Sequence, residues 1–118
     1  LIHVQRGNRK AAAVLQKDDE RLLSIYSYME LQQTARDKRQ LQVVRSFIHE
    51  LGFRVLPLTP EIGHRASIYV EEYTLAHGVR AGDALVAATA IEHGARLCSA
   101  NARHFRPIRE LDLRVFRP

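Results

Sequence analysis

Apolar residues recur along the chain with two spacings, and the two spacings alternate. Short apolar runs at Leu22–Tyr26, Phe53–Leu58 and Arg96–Ser99 are typical of buried strands. Apolar positions three or four residues apart predict amphipathic helices over Lys38–Leu51 and Pro60–His77. Because strands alternate with helices, the pattern predicts a three-layer α/β/α domain with a central, mainly parallel sheet.

Local signals indicate where further elements begin and end. Thr59, Pro60 and Glu61 supply a cap, a proline and an acid at a helix start. The segment Gly82–His93 has hardly any polar face, which predicts a helix buried on most sides. Arg9–Gln16 is rich in alanine, which favours another helix. Leu113–Phe116 is predicted to be the last strand.

Length and composition bound the class of protein. The chain has 118 residues, of which 46% are hydrophobic, and this suits a single domain over residues 1–118. No apolar run approaches the ~20 residues that span a bilayer, and the N-terminus lacks the continuous apolar stretch of a signal peptide. The single cysteine, Cys98, has the apolar residues Leu97 and Ala100 nearby, which favours a packed thiol. We therefore expect a cytoplasmic protein without a membrane partner.

The basic excess comes almost entirely from arginine. The formal net charge is +5, and only Lys10, Lys17 and Lys38 among the 18 basic residues are lysine. Arginine binds phosphate with a bidentate fork, so a polyanion such as nucleic acid is one interpretation. A compositional preference for arginine is the other, and charge alone does not separate them.

Glu30 follows the first predicted strand closely, and two interpretations apply to it. Ser27 is predicted to begin a helix, and Ser27-x-x-Glu30 matches the capping box, in which Ser and Glu side chains satisfy backbone N–H groups. The alternative is a site carboxylate, because functional groups in parallel sheets gather at the carboxyl ends of strands.

Asp83 and Asn101 carry the same ambiguity. Asp83 opens the apolar helix, where an acid interacts favourably with the helix N-terminus. Asn101 follows the strand that ends at Ser99, where it suits a turn. Either residue alone has this structural explanation. Together with Glu30 they converge on one sheet edge, which is more than capping requires and which favours a metal site.

The order of these motifs resembles a PIN-domain ribonuclease, and more narrowly a VapC-type toxin of a type II toxin–antitoxin system. The segments that carry the resemblance extend over essentially the whole chain. They are Leu1-Ile2, Arg6-Gly7-Asn8, Ser27–Leu31, Gly82–Ala90 and Leu97–Phe105. The helix of Asp83 and the loop Asn101–Phe105 are the most specific of them.

The resemblance implies an endoribonuclease that uses Mg²⁺ or Mn²⁺ to hydrolyse RNA phosphodiester bonds. Carried over by position, Glu30 and Asp83 would be metal ligands, Asn101 a further catalytic-site residue and Ser99 a supporting one. The resemblance also implies neutralisation by a cognate antitoxin and a homodimer. Clustered carboxylates that hold Mg²⁺ would activate water and neutralise charge on the transferred phosphoryl group.

Three arginines flank the predicted site. We expect Arg80, Arg103 and Arg106 to contact RNA phosphates, with solvated surface charge as the alternative for each. The six histidines of the chain do not form a ligand set. His104 is the one nearest the predicted site, and we expect it to pack within the loop, with a contact to RNA as the alternative.

One feature of the family pattern has no counterpart in the 118 residues. In the family, the first essential Asp ends a mid-sheet strand that would precede Leu1. Either the complete protein has this strand, or this is a defective copy. We expect the residues as printed to bind metal poorly and to cut RNA slowly or not at all.

Two other functions remain open at this point. A nuclease-like module that binds RNA or protein without cutting is the first. The second is another small doubly wound domain, although no phosphate-cradling glycine loop is visible.

Overall fold

The computed structural model describes residues 13–115. Sequence features at residues 1–12 and at Phe116, including the first four residues of the predicted helix Arg9–Gln16, lie outside the described residues. In chain order the described elements are β1 (Val14–Lys17), β2 (Glu20–Ser24), α1 (Ile25–Gln32), α2 (Lys38–Glu50), β3 (Phe53–Leu56), α3 (Pro60–His77), α4 (Ala81–Glu92), β4 (Arg96–Ser99) and β5 (Leu113–Val115).

The strands described here form one mixed sheet in the order β3-β2-β1-β4-β5. β2 pairs with β3 in parallel, and β4 pairs with β5 in parallel. The central strand β1 is antiparallel to both of its neighbours. The other four strands therefore point one way, and their carboxyl ends lie at the same edge as the beginning of β1.

β1 corrects one prediction from the sequence. The alanine-rich segment was expected to be helical through Gln16, but Val14–Lys17 is a strand at the centre of the sheet. Leu15 pairs with Leu22 on one side and Leu97 on the other. Helix propensities differ by only roughly a few tenths of a kcal/mol per residue. A central strand, in contrast, hydrogen-bonds its backbone groups to the strands on both of its sides. Tertiary pairing therefore outweighs the local preference.

Two cores lie on the two faces of the sheet, as the predicted α/β/α fold requires. Successive strand residues point to opposite faces, so neighbours in β2 enter different cores. Leu22 packs with residues of α3 and α4 such as Ile62 and Ala87. Leu23 packs with Leu31 of α1 and with residues of α2. The sheet is therefore covered by α3 and α4 on one face and by α1 and α2 on the other.

The start of α1 differs from the prediction in a way that concerns the site. The helix begins at Ile25, not at Ser27, and Ser24 is its N-cap. The Ser27 N–H donates to the Ser24 hydroxyl oxygen at 3.0 Å, and both side chains are buried. The capping-box interpretation of Glu30 is therefore wrong, because the third helical position is occupied by Ser27.

Other element boundaries are close to prediction. The Thr59 hydroxyl oxygen accepts the Ile62 N–H at 3.2 Å and caps α3, and Gly78 ends that helix with φ 70°. β3 stops at Leu56, two residues earlier than expected, since Pro57 has no N–H to continue the ladder. None of the helices within residues 13–115 has the length and apolar composition to span a bilayer.

Candidate active site

A pocket of about 280 Å³ opens at the sheet edge where β2 and β4 end. Its apolar lining comes from Ala13, Val86 and Phe105. Its polar lining comes from α1, from the start of α4, and from the end of β4 with the loop that follows it. The polar side chains are Tyr26, Glu30, Arg80, Asp83, Ser99, Asn101 and His104. The structure thus brings Glu30, Asp83 and Asn101 together from three distant parts of the sequence.

Glu30 reaches the pocket from α1. The burial of Leu31 against Val44 and Ile48 fixes the rotation of this short helix. Residues four apart share a helix face, so Tyr26 and Glu30 both line the pocket. Glu30 is partly buried. Its carboxylate therefore has a position set by the packing of α1 on the sheet and not by capping.

Asp83 lies in the first turn of α4 and has two polar contacts there. Its Oδ2 accepts the Arg80 N–H at 3.2 Å and lies 3.3 Å from Nδ1 of His104. The capping role that the sequence suggested is therefore present. A carboxylate has about four lone-pair sites on its two oxygens, so capping and metal binding are compatible for this side chain.

The two acids act on one hydroxyl group, that of Tyr26. Burial, and then the negative charges of Glu30 and Asp83, raise the pKa of Tyr26 above its ordinary value, whereas the Arg80 charge opposes the shift. Both carboxylates and the arginine are therefore within electrostatic reach of the same oxygen. Tyrosine is protonated at neutral pH even at its ordinary pKa, and the upward shift acts in the same direction, so the Tyr26 hydroxyl is a hydrogen-bond donor.

Ser99 shapes the loop that carries Asn101. The Ser99 side chain is 2% exposed, and its Oγ accepts the Asn101 N–H at 3.0 Å. This local bond turns the chain away from β4 in the manner of a Ser turn. Asn101 itself is exposed at the pocket. The buried Ser99 side chain thus positions the backbone of Asn101 through this hydrogen bond.

The three predicted arginines divide into two groups. Arg80 precedes α4 and lines the pocket. Arg103 and Arg106 are exposed on the loop after Asn101 and are outside the pocket lining. Only Arg80 is therefore placed to meet a ligand inside the pocket, and the other two would meet a ligand that extends beyond it.

The oxygen atoms that line the pocket suit a hard cation that keeps part of its water shell better than a cation bound by protein ligands alone. Among residues 13–115 there is no group of three or more His, Cys, Asp or Glu side chains that could hold a metal ion. Glu30 and Asp83 supply two carboxylates to the pocket, and Asn101 adds a neutral oxygen. Mg²⁺ is commonly bound by one or two carboxylates and keeps several waters. These residues fit such an ion.

A family comparison decides what kind of protein this pocket belongs to. The model of the PIN domain matches residues 1–111. The chain belongs to the PIN-domain family. PIN domains are in general nucleases, so membership of this family supports a nuclease activity for the chain. Comparison with curated proteins gave no significant match.

Three features of this PIN domain escaped the sequence analysis. Tyr26 was assigned to the end of a strand, although a helix starting at Ile25 would have placed it one turn before Glu30. Gly82 was not singled out, yet a Cβ atom there would overlap the Tyr26 ring. His104 was expected to pack within its loop, and the contact with Asp83 adds a role that sequence spacing does not reveal.

Proposed function

We propose that this PIN domain is an endoribonuclease that depends on Mg²⁺ or Mn²⁺. The observation that carries the proposal is the convergence of Glu30, Asp83 and Asn101 on one pocket at the sheet edge. The pocket is rich in oxygen ligands, an arginine stands at its rim, and the fold is that of a nuclease family. RNA as the substrate rests on the resemblance of the motifs.

Each residue of the pocket has a defined task in this proposal. Glu30 and Asp83 would hold the cation through their carboxylates, and His104 and the Arg80 N–H orient the Asp83 carboxylate. A bound divalent cation supplies Lewis-acid neutralisation of phosphoryl charge and a more acidic water. Asn101 would orient a water or ribose oxygen through its amide.

Arg80 supplies the positive charge that the substrate requires. A pocket with two carboxylates repels a phosphodiester, and a guanidinium offsets that repulsion with bidentate hydrogen bonds. Arg103 and Arg106 would contact phosphates further along the strand, because they are exposed beside the pocket and not within it. These contacts carry no base specificity.

We also propose the biological role that the motifs suggest. The protein would act as a toxin that a cognate antitoxin neutralises, and it would form a homodimer. The support for this role is the resemblance of the Gly82–Ala90 and Leu97–Phe105 segments to VapC-type toxins. A cytoplasmic location would accompany it.

A cleavage assay with matched Asp→Asn variants tests the nuclease. Purified protein is incubated with end-labelled structured RNA in Mg²⁺, in Mn²⁺ and in EDTA, and products are resolved on a sequencing gel. We expect Asp83→Asn to lower the cleavage rate at least about 100-fold and to leave the circular dichroism spectrum unchanged. Asp37→Asn is the control, because Asp37 also begins a helix, α2, but lies outside the pocket. Full activity of Asp83→Asn would refute the metal site.

A second function is favoured by one observation. Only Glu30 and Asp83 bring acidic side chains to the pocket among residues 13–115, and a module with two acids suits binding as well as cutting. Such a module would bind RNA or protein without cleaving it. In the assay above, bound but intact RNA in both Mg²⁺ and Mn²⁺ would identify this second function.

A further inference from the structure

Tyr26 lines the pocket together with its two acidic side chains and lies against the backbone of α4 at Gly82. Its ring packs so closely on Gly82 that a Cβ atom at position 82 would overlap the ring and its hydroxyl. The Tyr26 ring can therefore lie in this position only because Gly82 has no side chain. The atom nearest to such a Cβ would be the Tyr26 hydroxyl oxygen, so the hydroxyl lies at the start of α4, in a side chain that lines the pocket.

The hydroxyl lies in the part of the pocket where a phosphate must come close to negative charge. Tyr26 lines the same pocket as Glu30, Asp83 and Arg80. Both acids and the arginine act electrostatically on its hydroxyl. A phosphate approaching the carboxylates is repelled unless donors face it. Tyr26 supplies a neutral O–H donor, and Arg80 supplies charged N–H donors.

We propose that Tyr26 is a substrate-binding residue whose hydroxyl donates a hydrogen bond to a non-bridging phosphate oxygen of RNA, beside the Arg80 guanidinium. The inference rests on the proposed function and adds a residue to it. The hydroxyl makes the contact, because it is the hydrogen-bond donor of this side chain and lies at the start of α4. Tyr26 and Arg80 together form a phosphate-binding pair at the start of α4.

The chain offers a close control for this residue. Tyr28 lies on the same helix α1 and is also partly buried, but it packs against the other core, formed by Leu23, Leu31, Val44 and Ile48. Tyr26→Phe and Tyr28→Phe each remove one hydroxyl and keep the ring. The ring contact with Gly82 persists in Tyr26→Phe, so the fold is expected to be retained.

RNA binding, measured apart from cleavage, tests the proposal. A fluorescently labelled single-stranded RNA is titrated with each variant in Ca²⁺ buffer on ice, and its anisotropy gives Kd. Gel analysis afterwards verifies that the RNA is intact. We expect Tyr26→Phe to weaken binding about tenfold, as the loss of a hydrogen bond to a charged group does. Tyr28→Phe is expected to bind like the wild type, and thermal melting is expected to be unchanged for Tyr26→Phe.

A double-mutant cycle with Arg80→Ala separates a shared phosphate from two independent contacts. If both side chains hold one phosphate, the double variant loses less affinity than the product of the two single losses. In steady-state cleavage, Tyr26→Phe should raise KM more than it lowers kcat, which a purely structural tyrosine would not do.

The outcomes distinguish the inference from the function on which it rests. Wild-type affinity of Tyr26→Phe, in a protein that cuts RNA and is inactivated by Asp83→Asn, would overturn the role of Tyr26 alone. A wild-type protein that neither binds nor cuts RNA would overturn the proposed function and the role of Tyr26 with it. Equal losses for Tyr26→Phe and Tyr28→Phe would also overturn the role of Tyr26, because they would indicate a general effect on α1.

Discussion

The imidazole Nδ1 of His104 lies 3.3 Å from Oδ2 of Asp83. This contact joins the loop after β4 to the first turn of α4. Both side chains are mostly buried, with 30% and 18% of their surfaces exposed. A carboxylate held in this way presents itself to the pocket in one orientation. Partners of this kind tune how tightly a carboxylate binds a metal.

In the metal site that we propose, removal of this contact should weaken cation binding without unfolding the protein. We expect His104→Ala to reduce the affinity for Mn²⁺ by about tenfold or more, because Asp83 loses the partner that orients it. Electron paramagnetic resonance of free Mn²⁺ measures this directly. His49→Ala is the control, since His49 is exposed on α2. Unchanged affinity of His104→Ala would show that the imidazole does not orient Asp83.

A methyl group at position 82 should disturb the pocket through Tyr26. In Gly82→Ala the new Cβ would overlap the Tyr26 ring, so ring or helix must move. We expect a loss of about 1–3 kcal/mol in the free energy of unfolding, as for other overpacked sites, together with weaker RNA binding. Urea denaturation provides the measurement.

Gly63→Ala is the matched control for that experiment. Gly63 lies inside α3, and a Cβ there meets nothing within 4 Å. The substitution should stabilise the protein by about 0.5–1 kcal/mol, because alanine is the better helix former. Equal effects of the two substitutions would contradict the close packing of Gly82 on Tyr26.

The buried cap of α1 should contribute measurably to stability. Ser24 accepts the Ser27 N–H at 3.0 Å, and its own hydroxyl lies 3.1 Å from that of Ser27. Ser24→Ala is expected to lower the free energy of unfolding by about 1 kcal/mol or somewhat more, since it leaves a helix N–H and a buried hydroxyl with fewer partners. Ser46→Ala, at an exposed position of α2, should change it by less than about 0.5 kcal/mol.

Tyr69 should make stability depend on alkaline pH. Burial, and then its hydrogen bond to Glu110 at 2.5 Å, raise the pKa of Tyr69 to about 12. A group whose pKa is raised by folding stabilises the fold below its unfolded pKa, near 10 for tyrosine, and this contribution is lost as pH rises through the folded pKa. Between about pH 10 and 12 the free energy of unfolding should therefore fall, by at most about 1.4 kcal/mol per pH unit from this residue.

The difference between wild type and Tyr69→Phe isolates this effect from other titrating groups. Urea denaturation at pH 9, 10 and 11, chosen as about the range around the unfolded pKa, gives both curves. The difference in the free energy of unfolding between the wild type and Tyr69→Phe should shift against the wild type as pH rises. Parallel curves would show that the Tyr69 pKa is not raised by folding.

Elements with strong local signals were predictable from the sequence. α2 and α3 lie close to the predicted ranges, because apolar periodicity and the residues Thr59, Pro60 and Gly78 act within one or two helical turns. The start of α1 was placed two residues late, because Ser24 and Ser27 are both acceptable caps. Which serine caps the helix depends on where β2 stops pairing with β3.

The residues of the candidate site were partly predictable for a similar reason. Glu30, Asp83, Ser99 and Asn101 each follow a strand or open a helix, and the rule that such positions meet at one sheet edge suffices to group them. All four line the pocket. The place of Tyr26 was not predictable in this way, because it depends on how α1 and α4 approach each other.

The sequence by itself determined the alternation of strands and helices, the caps of the long helices and the acids that could meet, because each of these is encoded within a few neighbouring residues. Only the tertiary structure decided that Val14–Lys17 is the central strand, that His104 contacts Asp83, and that Tyr26 lies against Gly82. The physical reason is that strand pairing and side-chain packing join residues distant in the chain, and their free energy outweighs the small local preferences that a sequence pattern records.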